Sequence, residues 1–336
     1  MKLKILTLAF VLAFSASIPS INADSCPNVF FYFVGNSLSD YKNLTLGSTF
    51  ATLTSPYYDI TKKTIFYTTG WMCDYSSFDA QTILGALLSR KSAYNLVYVD
   101  WSNYTQDWFV LSMLNQTSCV ANTVYQIISQ MQTQLALTPD KINFVGFNFG
   151  AHLFGYVGRQ FTGTKVGRIT GLDPGAIFTF TDMIFNAYNF VPLQSSDATF
   201  VDIIHTSNDK FGCKNATGTV DFYVNGGFTQ PGCSLIKSFL DYKPYQDRSH
   251  GYLLVCSHSR VVFLYAESVK RADTAARPFL SSRCVTGTTT YNANNCTDTS
   301  DNMSMGYFAF NPPALSGYSN IFYVATTNNS AQFSLT

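Results

Sequence analysis

The segment most suggestive of chemistry is Gly146-Phe147-Asn148-Phe149-Gly150. The apolar run Lys141 to Val145 precedes it, and the pattern from Gly150 to Phe161 predicts a helix after it. A strand, a tight turn and a helix with glycines on either side of a central residue form the setting of a nucleophile elbow, G-x-S-x-G. The glycines let strand and helix approach closely, and the central side chain projects from the top of the sheet. Here the central residue is Asn148. A serine hydroxyl becomes nucleophilic when a histidine takes its proton. A carboxamide offers no equivalent, because its nitrogen lone pair is delocalised into the carbonyl and its oxygen is a poor nucleophile. Asparagine nevertheless suits the turn, since it tolerates positive φ better than most residues that carry a side chain.

The elements that must hold this turn alternate in type. Thr64 to Thr68, Asn95 to Val99, Lys141 to Val145, Val166 to Leu172 and Thr199 to Ile204 are short apolar or β-branched runs that predict strands. Thr82 to Leu88, Cys119 to Leu135 (stopped by Pro139) and Gly150 to Phe161 have helical spacing. Such alternation predicts an α/β protein with a mostly parallel central sheet and helices on both faces. No repeat or linker divides the chain, so residues 24–336 read as a single domain.

Composition narrows the function classes. Only 12% of the 336 residues are charged and the net charge is +1, against an ordinary charged share of about 25%. Nucleic acid needs a concentrated basic footprint, so it is excluded as a partner. The first 23 residues combine Lys2 and Lys4, an apolar stretch Ile5 to Phe14 and the small-residue site Ile21-Asn22-Ala23. They read as a signal peptide, with a membrane-anchored helix as the alternative. Eight cysteines (26, 73, 119, 213, 233, 256, 284 and 296) lack any C-x-x-C spacing, which argues for disulfides rather than zinc or redox use. Sequons at Asn43, Asn103, Asn115, Asn215, Asn295, Asn302 and Asn328 fit a secreted, extracellular glycoprotein. No metal or other cofactor is expected.

The stretch GFNFGAHLFGYVGR resembles the elbow of the pancreatic lipase family, which includes secreted phospholipases A1 and the insect yolk proteins. The resemblance runs through Gly70-Trp71, Val99-Asp100-Trp101-Ser102, Ile169 to Pro174, Val201 to Thr206, Asn225 to Cys233, Cys256 to Arg260, Tyr265 to Ser268, Met305 to Tyr307 and Phe322 to Asn328. It implies the α/β-hydrolase fold. It also implies a catalytic triad of position 148, Asp173 as acid and His258 as base, in the chain order expected on that fold. The nucleophile position is degenerate, since Asn148 stands where the family has serine. The backbone N–H groups of Trp71 and Phe149 would form the oxyanion hole. The family places a histidine before Gly-Trp; Thr69 stands there, so the loop is expected to lose that support. His152 reads as a helix-packing residue, His205 as structural, His250 as exposed, and Asp100 as a loop-orienting residue.

The same resemblance pairs Cys233 with Cys256, Cys284 with Cys296 and Cys26 with Cys119. Cys73 and Cys213 remain as a candidate fourth pair, which sequence alone does not fix. The Cys233–Cys256 bridge would close a lid over residues 234–255. The chain would lack the C-terminal β-sandwich of pancreatic-type members, so no colipase-type partner is expected. The implied function is a catalytically inactive, pseudoenzyme lipase homologue that binds lipid or an apolar small molecule, or serves as a yolk or reproductive-fluid protein. The alternative is an active carboxylic ester hydrolase, a triacylglycerol lipase or phospholipase A1, in lipid catabolism.

Overall fold

A computed structural model of the chain describes residues 25–107, 110–176, 186, 188–208, 210–233, 252–273 and 279–326. The segment read as a signal peptide and nearly all of the expected lid lie outside these residues, as do His250 and Asn328.

Eleven strands form one sheet. They are β1 (Phe30–Val34), β2 (Tyr41–Thr45), β3 (Lys63–Thr68), β4 (Tyr94–Asp100), β5 (Ile142–Phe147), β6 (Arg168–Leu172), β7 (Phe200–His205), β8 (Val220–Val224), β9 (Ser282–Val285), β10 (Cys296–Asp298) and β11 (Tyr318–Val324). Their spatial order is β10-β9-β11-β8-β7-β6-β5-β3-β4-β1-β2. From β4 to β11 the seven strands in the middle run parallel. β1 and β2 close one edge and β9 and β10 the other, all antiparallel. β4 and β8 are buried along their whole length, and β3, β5, β6 and β7 along nearly all of theirs, which is why they do not read as alternating strands.

Helices cover both faces. α2 (Val110–Leu135) and α3 (Phe149–Gly158) pack with Phe66, Phe144, Ile169 and Val201 on one side. α1 (Phe78–Leu88) and α4 (Tyr252–Lys270) pack with Ile65, Val145, Leu172 and Ile204 on the other. Adjacent positions of one strand thus feed opposite cores, as the two-residue period of a pleated sheet requires. The protein is an α/β-hydrolase-type sheet with helices on both faces. Among the described residues no helix is long and apolar enough to cross a membrane.

Three of the expected disulfides are present: Cys26–Cys119, Cys233–Cys256 and Cys284–Cys296. The fourth is not, since no bridge joins Cys73 to Cys213. The backbone bridge between Gly175 and Gly212 fixes the segment after Asp173 against the loop carrying Cys213. Cys213 Sγ there faces the Gly175 carbonyl at 3.3 Å. Cys73 lies after Trp71 among Asp74, Ser77 and Asp79, where burial pushes its thiol well above the usual range. The two sulfurs are held in different hydrogen-bonding environments.

Candidate functional site

The parallel strands deliver their carboxyl ends to one edge of the sheet. Phe147, Leu172 and Ile204 stand level on β5, β6 and β7. The residues just beyond them are Asn148, Asp173 and His205.

Asn148 ends β5 at φ 56° and ψ −127°, and helix α3 begins at the next residue. This is a strained left-handed turn, and the two glycines make it possible. A Cβ on Gly146 would lie 2.5 Å from the Ala151 nitrogen, and one on Gly150 would lie 2.6 Å from the Thr69 carbonyl. The Asn148 N–H donates to the Leu172 carbonyl at 3.1 Å, tying the turn to β6.

Asp173 is fully buried, and four groups meet its carboxylate. Oδ1 accepts from the N–H of Thr206 at 2.7 Å and of Ser207 at 3.2 Å. Oδ2 accepts from the Ser207 hydroxyl at 2.5 Å and lies 2.6 Å from His258 Nδ1. His258 comes from α4, with its ring against Phe147. Its Nε2 lies 2.6 Å from Asn148 Nδ2. The residues expected at positions 148, 173 and 258 are thus in hydrogen-bond contact, one after another.

The orientation of the Asn148 carboxamide follows from its neighbours. The backbone N–H of Phe149 lies 2.7 Å from one side-chain atom, and that of Trp71 lies 3.4 Å from the same atom. An amide N–H only donates, so that atom is the oxygen Oδ1. The nitrogen Nδ2 therefore faces His258 and donates to Nε2. Nε2 must be an acceptor, which places the ring's proton on Nδ1, facing Asp173. The carbonyl of Asn148 occupies the position between the two N–H groups expected to form the oxyanion hole.

The loop carrying Trp71 is not left without support by the absence of a histidine at position 69. The Thr69 hydroxyl lies 2.8 Å from the Tyr98 hydroxyl, and the Trp101 indole N–H donates to the Thr69 carbonyl at 2.8 Å. The histidine's support is absent, as expected, and these two bonds brace the loop instead. Asp100 accepts from the Ser102 N–H at 2.9 Å, a loop-orienting contact.

The Lipase family model matches residues 23–333. The chain belongs to the lipase family. Lipase member H of Xenopus tropicalis is 35% identical over 249 residues, covering 72% of this chain and 48% of that protein. Lipase member H of Rattus norvegicus is 32% identical over 278 residues, covering 79% and 57%. Human pancreatic lipase-related protein 3 is 31% identical over 270 residues, covering 77% and 54%. The chain spans about half the length of these curated relatives. Among solved structures, a sugar hydrolase from Lactococcus lactis aligns with a TM-score of 0.34 at 17% identity over 62% of this chain and 88% of that one, too low to add to the fold.

Other buried groups of this lipase-family chain have plain structural partners. His152 Nε2 donates to the Gly175 carbonyl at 2.8 Å, and Nδ1 accepts from the Leu193 N–H at 3.1 Å. Burial lowers its pKa to about 4, so the ring is neutral. His205 bridges Asp221 and the Cys213 carbonyl, both at 2.9 Å, and stacks on Tyr223. Among the described residues no cluster of three or more His, Cys, Asp or Glu side chains is arranged to hold a metal ion.

Two site residues carry no signal in the sequence. Ser207 completes the cradle of Asp173, yet it is one serine among many in a loop. Asp79, on α1, is fully buried, and its Oδ1 has no hydrogen-bond partner. Burial raises its carboxyl to about pKa 6, with the His258 imidazole acting in the opposite direction. An acid in the first turn of a helix ordinarily reads as a solvent-facing dipole partner, which hides it.

Proposed function

We propose that this lipase-family protein is catalytically inactive towards carboxylic esters, because Asn148 stands where a serine nucleophile is required. It acts as a secreted binder of lipid or another apolar molecule, or as a storage protein of the yolk or reproductive-fluid type. The carrying observation is the Asn148 carboxamide itself. It supplies no oxygen that His258 could activate, and its own carbonyl takes the two N–H groups that a developing oxyanion would need. Losing the nucleophile from an intact triad typically costs about 10⁶ in rate. Three disulfides fit an oxidising compartment, and the exposed sequon asparagines 43, 103, 215 and 302 are placed to carry glycans.

The Asp173–His258 contact at 2.6 Å favours one second reading, a working ester hydrolase that uses another attacking group. Treatment of the purified secreted protein with a fluorophosphonate probe, beside a phospholipid and a triacylglycerol turnover assay, separates the two. The inactive reading expects no covalent label and no turnover that His258→Ala abolishes. A label anywhere in the site, or turnover lost in that variant, overturns it.

A further inference from the structure

We infer that the site around Asn148 accepts an uncharged long-chain molecule with an acceptor oxygen, an alcohol rather than a carboxylic acid, and rejects free fatty-acid anions. The inference rests on the proposed apolar-ligand function and names the chemistry of its ligand.

An oxyanion hole is built to attract negative charge. Here its two donors are already engaged by Asn148 Oδ1, at 2.7 and 3.4 Å. A carboxylate arriving at the elbow would find neither N–H available. The histidine offers no replacement. Its Nε2 accepts from Asn148 Nδ2, so that nitrogen is already engaged and presents no further donor at the elbow.

What lies beneath the elbow is acidic. Among the described residues no lysine or arginine forms an ion pair with the buried Asp173 carboxyl. The buried carboxyl of Asp79 is a second acid without any cationic partner among the described residues. Like charges repel far more in a buried, low-dielectric setting than in bulk solvent. The substitution at the elbow therefore withdraws the two N–H donors that an arriving anion would need.

What Asn148 still offers is a donor. Its Nδ2 carries two hydrogens, and only one is engaged among the described residues. The residue keeps 9% of its surface exposed. Around it stand Phe147 and Phe211, both ringed against His258, and Trp71. An apolar chain against these aromatic faces, with a hydroxyl or ester oxygen accepting from Nδ2–H, satisfies the surroundings without adding charge.

The test compares decanol with decanoate by isothermal titration calorimetry at mildly alkaline pH, on the wild-type protein and on Asn148→Gly. Glycine suits the positive φ of the elbow, so the turn survives, and both backbone donors become free. The wild type should bind decanol about tenfold or more tighter than decanoate, and Asn148→Gly should narrow or reverse that ratio. Decanoate binding the wild type as well as decanol, or a ratio unchanged by Asn148→Gly, overturns the inference alone. Binding of neither ligand to either protein overturns the apolar-ligand function and the inference with it.

Discussion

Asp79 should make the protein less stable as pH rises from about 4 to about 6. Its carboxyl is fully buried, has one oxygen without a partner, and is moved by burial from the ordinary 3.8 to about 6. The folded state therefore holds its proton to a higher pH than the unfolded chain does. Below about pH 4 both states are protonated and Asp79 contributes no pH dependence. Between about pH 4 and 6 the unfolded chain ionises first, so the unfolded state gains and stability falls, at about 1.4 kcal/mol per pH unit. Across the interval from 3.8 to about 6 the loss is roughly 3 kcal/mol. Asp79→Asn removes this titration. Any constant cost of the new amide cancels when pH values are compared within each protein. Urea unfolding followed by tryptophan fluorescence, from about pH 4 to about pH 7, measures the effect. The stability of the variant relative to wild type should rise by roughly 3 kcal/mol over that range. A relative stability that stays flat, or falls, would refute the account and would mean that water or a cation reaches Asp79.

Three further outcomes are expected. Asn148→Ser should label with a fluorophosphonate and show ester turnover at least about 10⁴ above wild type, since the triad's missing member typically accounts for about 10⁶. The serine oxygen reaches roughly 1.3 Å less far than the carboxamide nitrogen, so the His258 ring must move inward; a folded variant that takes no label would show that it does not. Arg283 is almost fully buried, pairs with Asp301 at 3.0 Å and donates to the Ser319 and Pro313 carbonyls at 2.8 and 3.0 Å. Arg283→Met strands these acceptors and should cost about 3–5 kcal/mol in urea unfolding. The paired change Cys26→Ser with Cys119→Ser opens a link between residues 93 apart, which the chain-entropy model values at about 4–5 kcal/mol, read as a lowered thermal midpoint.

The centre of the fold was legible and its edges were not. β3 to β7 are rich in apolar and β-branched residues because both faces of each strand are covered, and these were the strands the sequence marked. β2 reads Tyr-Lys-Asn-Leu-Thr and exposes its first three residues, so it shows neither an apolar run nor alternation. α2 begins at Val110, nine residues before the expected Cys119, because Asn115, Gln116, Thr117 and Ser118 dilute the apolar spacing of its first turns. The residues at 148, 173 and 258 were found through resemblance to a family, and their contact distances came only from the fold. The supports around them were hidden for physical reasons. Tyr98 and Trp101 brace the Thr69 loop through one hydroxyl and one indole N–H, and nothing in a strand pattern announces which face of a tyrosine will be used. Cys73 and Cys213 were a candidate pair that the sequence could not fix, and no bridge joins them.

The cradle of Asp173 has a consequence for how such a site can decay. Replacing that aspartate would strand two backbone N–H groups, a serine hydroxyl and an imidazole N–H in the interior, each at a penalty of about 1–3 kcal/mol. At the elbow, asparagine satisfies every neighbour it meets: it accepts from the Phe149 and Trp71 N–H groups and donates to His258. Acid and base double as rivets of the β6–β7–α4 junction, whereas the nucleophile holds nothing in place. A scaffold riveted this way can change at the elbow while the acid and base beneath stay fixed by what they hold together.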